Sequence, residues 1–214
     1  ECRANVLTYV KEWRKTVTRL GRWVDFDNDY KTMDLSYMES VWWVWKQLWD
    51  KGLTYCGPKV MPDSWKLGTV LSNSEATEDY RQVNDPAVTV SFPLNETENL
   101  LVWTTTAWTL PANLAVAVNP EMDYVKFEKD NKFYWVAKEL SSSFADTFVE
   151  TKQGEDFVGL SYSPPFDFLK NHPGAFKVFA SNHVNSVSGT GFVHLAPAYG
   201  EEDFLVCQKN NLDA

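Results

Sequence analysis

Basic residues, histidines and cysteines are all scarce in this sequence. Among 214 residues there are 20 Lys and Arg against 29 Asp and Glu, a formal charge of −9. Phosphate-backbone binding needs clustered Lys and Arg, so the charge argues against a broad face gripping nucleic acid, and leaves room for a small local contact with RNA. The three cysteines, Cys2, Cys56 and Cys207, stand far apart without CxxC or Cys/His ligand spacing. That argues against a disulfide framework and a structural zinc site, and for a reducing compartment. His172 and His183 have no partner at ligand spacing, so no metal is expected and metal-assisted hydrolysis is disfavoured. No window reaches the ~18 apolar residues a membrane span needs. The N-terminus, ECRANVLTYVKEWRKTVTRL, is charged throughout, unlike a signal peptide. A cytoplasmic protein with no membrane contact is expected. The first residue is Glu and the final LDA stops inside a helical pattern, so an excised piece of a longer chain is expected as well. Serine nucleophile elbow, HExxH, Walker loop and Rossmann fingerprint are all missing.

What is present is 44% hydrophobic and 15% aromatic, enough to bury an ordinary core. Residues 1–52 read as helical: Met38, Val41, Trp42, Trp45, Leu48 and Trp49 fall at i, i+3, i+4, i+7 spacing, and Gly52 ends the pattern. Tryptophan at this spacing is expected to be core, or to face a neighbour outside the sequence. From Leu53 onward short β-type runs alternate with turn residues: LTYC, GPKVMPDS, VTVSFPL, NLLVWTTTAW, NLAVAVNP, YVKFEKDNKFYWVA, FKVFAS and GFVHLAP. The clearest hairpin turns at Asp130 and Asn131. Internal helices are expected at 137–148 and 201–211. The reading is mainly β with flanking helices, a barrel-like domain over 53–214 preceded by a helical arm over 1–52.

Two stretches can carry chemistry. In LVWTTTAWTLPAN, Thr104, Thr105 and Thr106 end an apolar strand, where hydroxyls donate and accept without charge, as a ribose would require. The plain alternative is that threonine and tryptophan simply extend a strand. In SGTGFVHLAPAYGEEDF, a short strand carries His194, and Glu201, Glu202 and Asp203 fall in the first turn of the next helix. Acids at a helix N-terminus are favourable in themselves, and a lone strand histidine is commonly a core residue. Delivered together to one end of a strand, an imidazole and a carboxylate can orient water and capture an amine.

WTTTAWTLPANLAVAVNP together with GTGFVHLAPAYGEEDF closely resembles the editing (CP1) domain inserted into isoleucyl-tRNA synthetases. DFDNDYKTMDLSYMESVWWVWKQLWDKGL and NDPAVTVSFPL look like the eukaryotic cytosolic form. Valyl and leucyl relatives typically carry Thr-Thr-Arg-Pro at the first motif. The resemblance departs at Ala107, where the family usually has proline, and at Tyr199, where many bacterial relatives have histidine.

The resemblance implies a β-barrel-like fold and hydrolytic proofreading of Val-tRNA(Ile), and possibly of valyl-adenylate. A pocket for isoleucine rejects valine poorly, since one methylene is worth only about 1–3 kcal/mol, a limit for which isoleucyl enzymes are themselves the standard illustration. A second site that excludes isoleucine by size then clears the error. By similarity Asp203 would hold the substrate α-ammonium group, and His194 and Trp108 would line the pocket. Thr104, Thr105 and Thr106 with Asn113 would hold the ribose and a water. The implied partners are the valine-bearing 3′ end of tRNA(Ile) and the rest of the synthetase chain, with the fragment itself a monomer. No cofactor is implied here, ATP serving only the synthetic part, whose His-Ile-Gly-His and Lys-Met-Ser-Lys-Ser type signatures are missing. A binding module without turnover, or a ligand-free spacer, are the rival expectations.

Overall fold

The computed structural model describes residues 5, 7–78 and 80–212 and divides the chain into two compact units, 1–58 and 59–214. The first unit holds α1 (Val10–Arg19) and α2 (Leu35–Asp50). Among the described residues, the helical pattern read over 1–52 is interrupted between α1 and α2. Gly21 at φ +70° and the run of Asp25, Asp27, Asn28 and Asp29 interrupt it, with the Asp25 carboxylate accepting backbone N–H bonds from Asp27 and Asn28. Gly52 closes α2 as expected: at φ +68° its N–H reaches the Trp49 carbonyl while Leu53 N–H reaches that of Leu48. The tryptophan stripe is not core, the first of the two placements expected of it: neither helix buries a residue, and Met38, Val41, Trp42, Trp45, Leu48 and Trp49 are all exposed. Periodicity identified the stripe correctly, but a stripe becomes core only where another element covers it.

The second unit is mainly β. A two-residue ribbon, β1 (Asp63–Ser64) with β2 (Thr69–Val70), leads to the short helix α3 (Asn73–Thr77), whose Ser72 and Glu75 form a reciprocal cap. Next come β3 (Val88–Pro93), β4 (Glu98–Thr104), β5 (Ala115–Val118), β6 (Asp123–Lys129), β7 (Lys132–Ala137), β8 (Glu150–Gln153), β9 (Lys177–Ala180) and β10 (Phe192–Leu195). A nine-residue helix, α4 (Glu201–Lys209), ends the described chain. The strands form a five-stranded sheet, β3-β4-β7-β6-β8, and a three-stranded sheet, β10-β5-β9. The sheets meet where β10 lies against β4, and no hydrogen-bonded ring closes them among the described residues.

The hairpin of β6 and β7 turns at Asp130 and Asn131, both left-handed at φ +52° and +60°, as a two-residue turn requires. The expected helix over 137–148 is instead the end of β7 followed by one short 3-10 stretch, Lys138–Ser143. There Ser141 donates its hydroxyl to the Lys138 carbonyl, a local bond that competes with a longer helix. The core between the sheets packs Phe92, Leu100, Val102, Val116, Tyr124, Trp135, Phe157 and Phe192. Lys126 stands between Glu98 and Glu150, with its ammonium over the Trp135 ring. Gly191, at φ +81°, brings β10 so close to β7 that a Cβ there would lie 2.4 Å from that of Ala137.

Candidate active site

The end of β4 and the chain just beyond it supply the hydroxyls. Thr104 closes the strand, and its Oγ1 accepts the Thr106 backbone N–H at 3.0 Å. That bond turns the chain into a 3-10 helix, Ala107–Ala112, which brings Thr109 back over Thr106. The Thr109 Oγ1 lies 2.8 Å from the Thr106 carbonyl and 2.8 Å from Nε2 of His194. β10 delivers that histidine, pairing His194 with Val116 of β5. With the Thr109 proton donated to the Thr106 carbonyl, the ring carries its hydrogen on Nε2 and donates it to Thr109. Nδ1 is then a buried lone pair with no hydrogen-bond partner among the described residues.

After β10 the chain turns through Pro197 to Gly200 into α4. Asp203, in the first turn, folds back so that Oδ2 accepts the Ala196 N–H at 2.9 Å. Gly200 makes room for this: a Cβ there would sit 3.0 Å from the Asp203 carboxyl carbon. Thr104, Thr106, Trp108, Thr109, Val193, His194, Tyr199 and Asp203 enclose a cavity of about 240 Å³. Trp108 and Tyr199 are exposed at its rim, while Thr104, Thr109 and His194 are buried.

Burial sets the electrostatics of the site. It holds His194 down to about 4, so the imidazole is neutral at pH 7 and a weak base. It also raises the Asp203 carboxyl, against the opposing pull of the Ala196 N–H and of His183, with Glu202 adding to the rise. The cavity therefore offers one carboxyl group, a neutral ring, three threonine hydroxyls and the Tyr199 phenol, and no serine or cysteine lines it. Among the described residues no group of three His, Cys, Asp or Glu side chains could hold a metal ion.

Of the residues expected at the site, Thr104, Thr106, Trp108, His194 and Asp203 come together and two do not. Thr105 is exposed and does not line the cavity; it sits in the bend just past the end of β4. Asn113 is occupied in the core: its amide donates to the Ala115 carbonyl at 2.8 Å and accepts the Tyr162 hydroxyl at 2.6 Å. It fixes the entry to β5 and is not a cavity wall. Sequence reasoning passed over Thr109, although its spacing of three from Thr106 is what a single helical turn places face to face. A roomier depression of about 360 Å³ lies between Leu101, Phe127, Tyr134 and Phe144 on the five-stranded sheet. Its only charged lining groups are Lys129 and Asp130 from the hairpin, and it holds no buried titratable group.

The family model for class I tRNA synthetases (I, L, M and V) matches residues 1–171. Isoleucine–tRNA ligase of Nocardia farcinica is 49% identical over 99% of this chain, which covers 22% of that protein. The cytoplasmic isoleucine–tRNA ligase of Saccharomyces cerevisiae is 48% identical over 99% of the chain and 21% of its own length. For the cytoplasmic enzyme of Mus musculus the figures are 49%, 99% and 18%. Bacterial and eukaryotic relatives are thus equally similar, and the chain spans about a fifth of the length of the relatives it matches. Among solved structures, the P. falciparum cytosolic leucyl-tRNA synthetase editing domain overlaps 54% of this chain and 50% of its own, at 15% identity and a TM-score of 0.44.

Proposed function

Because the chain belongs to the class I tRNA synthetases of the I, L, M and V group, we propose that its cavity hydrolyses the ester linking valine wrongly to tRNA(Ile). The observation that carries this reading is the gathering of Thr104, Thr106, Thr109, His194 and Asp203 around one small cavity. Asp203 takes the α-ammonium group in charge-assisted hydrogen bonds. The valyl side chain lies against Val193 and Trp108, where a larger branched chain is refused by size. The threonine hydroxyls hold the ribose and a water. That water attacks the ester carbonyl carbon, the bond from carbonyl carbon to ribose oxygen breaks, and the ribose oxygen leaves with the proton that the attacking water gives up, releasing valine as its carboxylic acid. The neutral His194 holds Thr109 in place by its hydrogen bond and takes no proton in this scheme, its basicity being too low.

The substrate is the single-stranded 3′ end of tRNA(Ile), and the body of the tRNA is held elsewhere in the longer synthetase. A chain of charge −9 then binds whole tRNA weakly. No cofactor takes part in this hydrolysis. We assign the eukaryotic cytosolic type, and with it a cytoplasmic location, from the stretch DFDNDYKTMDLSYMESVWWVWKQLWDKGL. The exposed tryptophan face of α2 packs on further parts of the synthetase, since a helix so apolar is stable only when covered.

A second reading, a binding module without turnover, is favoured by the weak basicity of His194 and the commitment of Asp203 Oδ2 to the Ala196 N–H. Soaking a nonhydrolysable valyl-adenosine amide tests the placement common to both readings. The α-ammonium group is expected within hydrogen-bond distance of Asp203. An amide seated elsewhere overturns the assignment, and turnover of the ester separates the two readings.

A further inference from the structure

In a sequence of net charge −9, Lys11, Arg14, Lys15, Arg19 and Arg22 crowd into one short stretch, α1 and the turn that closes it. At about 3.6 residues per turn, Lys11, Arg14, Lys15 and Arg19 fall on one side of the helix and Val10, Trp13 and Val17 on the other. Arg22 is tied to the same helix end, its N–H bonded to the Val17 carbonyl while that of Gly21, at φ +70°, reaches Thr18. All five cations are exposed. Arg14 is engaged, paired with Asp27 and lying 5.1 Å from the centre of the Phe26 ring. Lys11, Lys15, Arg19 and Arg22 have no ion-pair partner among the described residues. The other acids of the following loop are taken, Asp25 by the N–H groups of Asp27 and Asn28 and Asp29 by Lys31.

Helix stability does not call for this row. Lys11 and Lys15, and Lys15 and Arg19, stand four residues apart, a spacing at which like charges repel along a helix. Lys11 also sits in the first turn, where the helix dipole disfavours a cation, and only Arg19, in the last turn, is placed where the dipole favours one. An external polyanion relieves the repulsion and meets the four free cations. We propose that this face of α1 docks on phosphates of the tRNA whose 3′ end enters the cavity, as a local handle on a polyanion that the acidic chain as a whole repels. The proposal rests on the function given above. An anionic membrane is the weaker match, because an interfacial helix buries its apolar face in lipid. On α1 Val17 of that face is already half-buried, and Glu12 and Thr16 border it.

The test titrates the whole chain into dye-labelled, unacylated tRNA(Ile) and follows anisotropy at about 50 and 200 mM salt. Four phosphate contacts give a log–log slope of roughly −3 to −4, so affinity is expected to fall roughly 50- to 150-fold between the two salts. With Lys11→Gln, Lys15→Gln, Arg19→Gln and Arg22→Gln combined, the fall is expected to shrink below about threefold, while α1 stays helical because glutamine is close to lysine and arginine in helix propensity. A control of equal net charge, Lys59→Gln, Lys66→Gln, Lys129→Gln and Lys132→Gln, removes exposed cations elsewhere and is expected to keep the parental salt dependence. The same loss in both variants overturns the proposal, since overall charge and not α1 then governs binding. A parent that binds no tRNA at the lower salt overturns it too. Binding to phosphatidylserine–phosphatidylcholine vesicles but not to tRNA, lost in the α1 variant, assigns the face to a membrane and overturns it as well. The proposed function is read separately, by the valyl-adenosine amide, which has no tRNA body for α1 to hold.

Discussion

Replacing Asp203 by Asn separates what the carboxylate does for the substrate from what it does for the fold. The Asn carbonyl can still accept the Ala196 N–H that Oδ2 accepts at 2.9 Å. What disappears is the charge. A hydrogen bond to a charged group contributes about 1.5–3 kcal/mol, so Asp203→Asn is expected to weaken binding of the valyl ester by roughly 10- to 150-fold. Stability is expected to move the other way. Burial raises the folded carboxyl above 3.8, so the fold gains nothing from ionising Asp203 and loses stability as pH rises through that raised value. Removing the charge should leave the melting temperature at pH 7 unchanged or higher. Asp203→Ala should instead lower it by roughly 2–10 °C, because the Ala196 N–H is left without an acceptor, at about 1–3 kcal/mol. Steady-state deacylation of Val-tRNA(Ile), run beside thermal melts of the three proteins, reads both effects. An Asn variant with parental KM and rate would refute the amine-anchor role, and one that melts well below the parent would refute the electrostatic account.

Three further outcomes are expected. His194, held down to about 4 against 6.5 when free, stays neutral in the fold while the unfolded chain takes up a proton, so its contribution is complete above pH 6.5 and lost as pH falls toward 4. The loss reaches about 3 kcal/mol, and denaturant titrations across that window should show a flatter profile in His194→Gln. Thr109→Val keeps shape but takes the partner from Nε2 of His194, and should cost about 1–3 kcal/mol of stability together with most of the deacylation rate. Ala107→Pro, at the first position of the 3-10 helix, should raise stability by roughly 0.4–1 kcal/mol in chemical denaturation, because proline suits a first helical position and stiffens the unfolded chain.

Much of the β unit was legible because its signals are local. Asp130 and Asn131 between alternating apolar runs specify a tight turn wherever they stand, and Ala115–Val118, Lys177–Ala180 and Phe192–Leu195 read as short β-type runs from composition alone. Local signals also misled at 137–148, where helix-compatible residues lost to the side-chain bond of Ser141. The tryptophan stripe of α2 was visible as a period, but what covers a face is not written in the face itself. The site was legible in part for the same reason. Thr104, Thr106, His194 and Asp203 stood out as chemistry-bearing types in two short motifs. Asn113 belongs to one of them, yet its amide is committed to Tyr162, 49 residues away. Thr109 meets His194 across 85 residues, a pairing that depends on β10 lying beside β4. The sequence carries no local mark of that contact.

The central claim is that the cavity clears valine and spares isoleucine from the same tRNA. Its most direct test is the rate at which this chain deacylates Val-tRNA(Ile) and Ile-tRNA(Ile), measured in parallel with a longer synthetase carrying this chain. Selective loss of the valyl ester, abolished by Asp203→Asn in both proteins, is the predicted result. Equal rates on the two esters, or none on either from the longer synthetase, would contradict it.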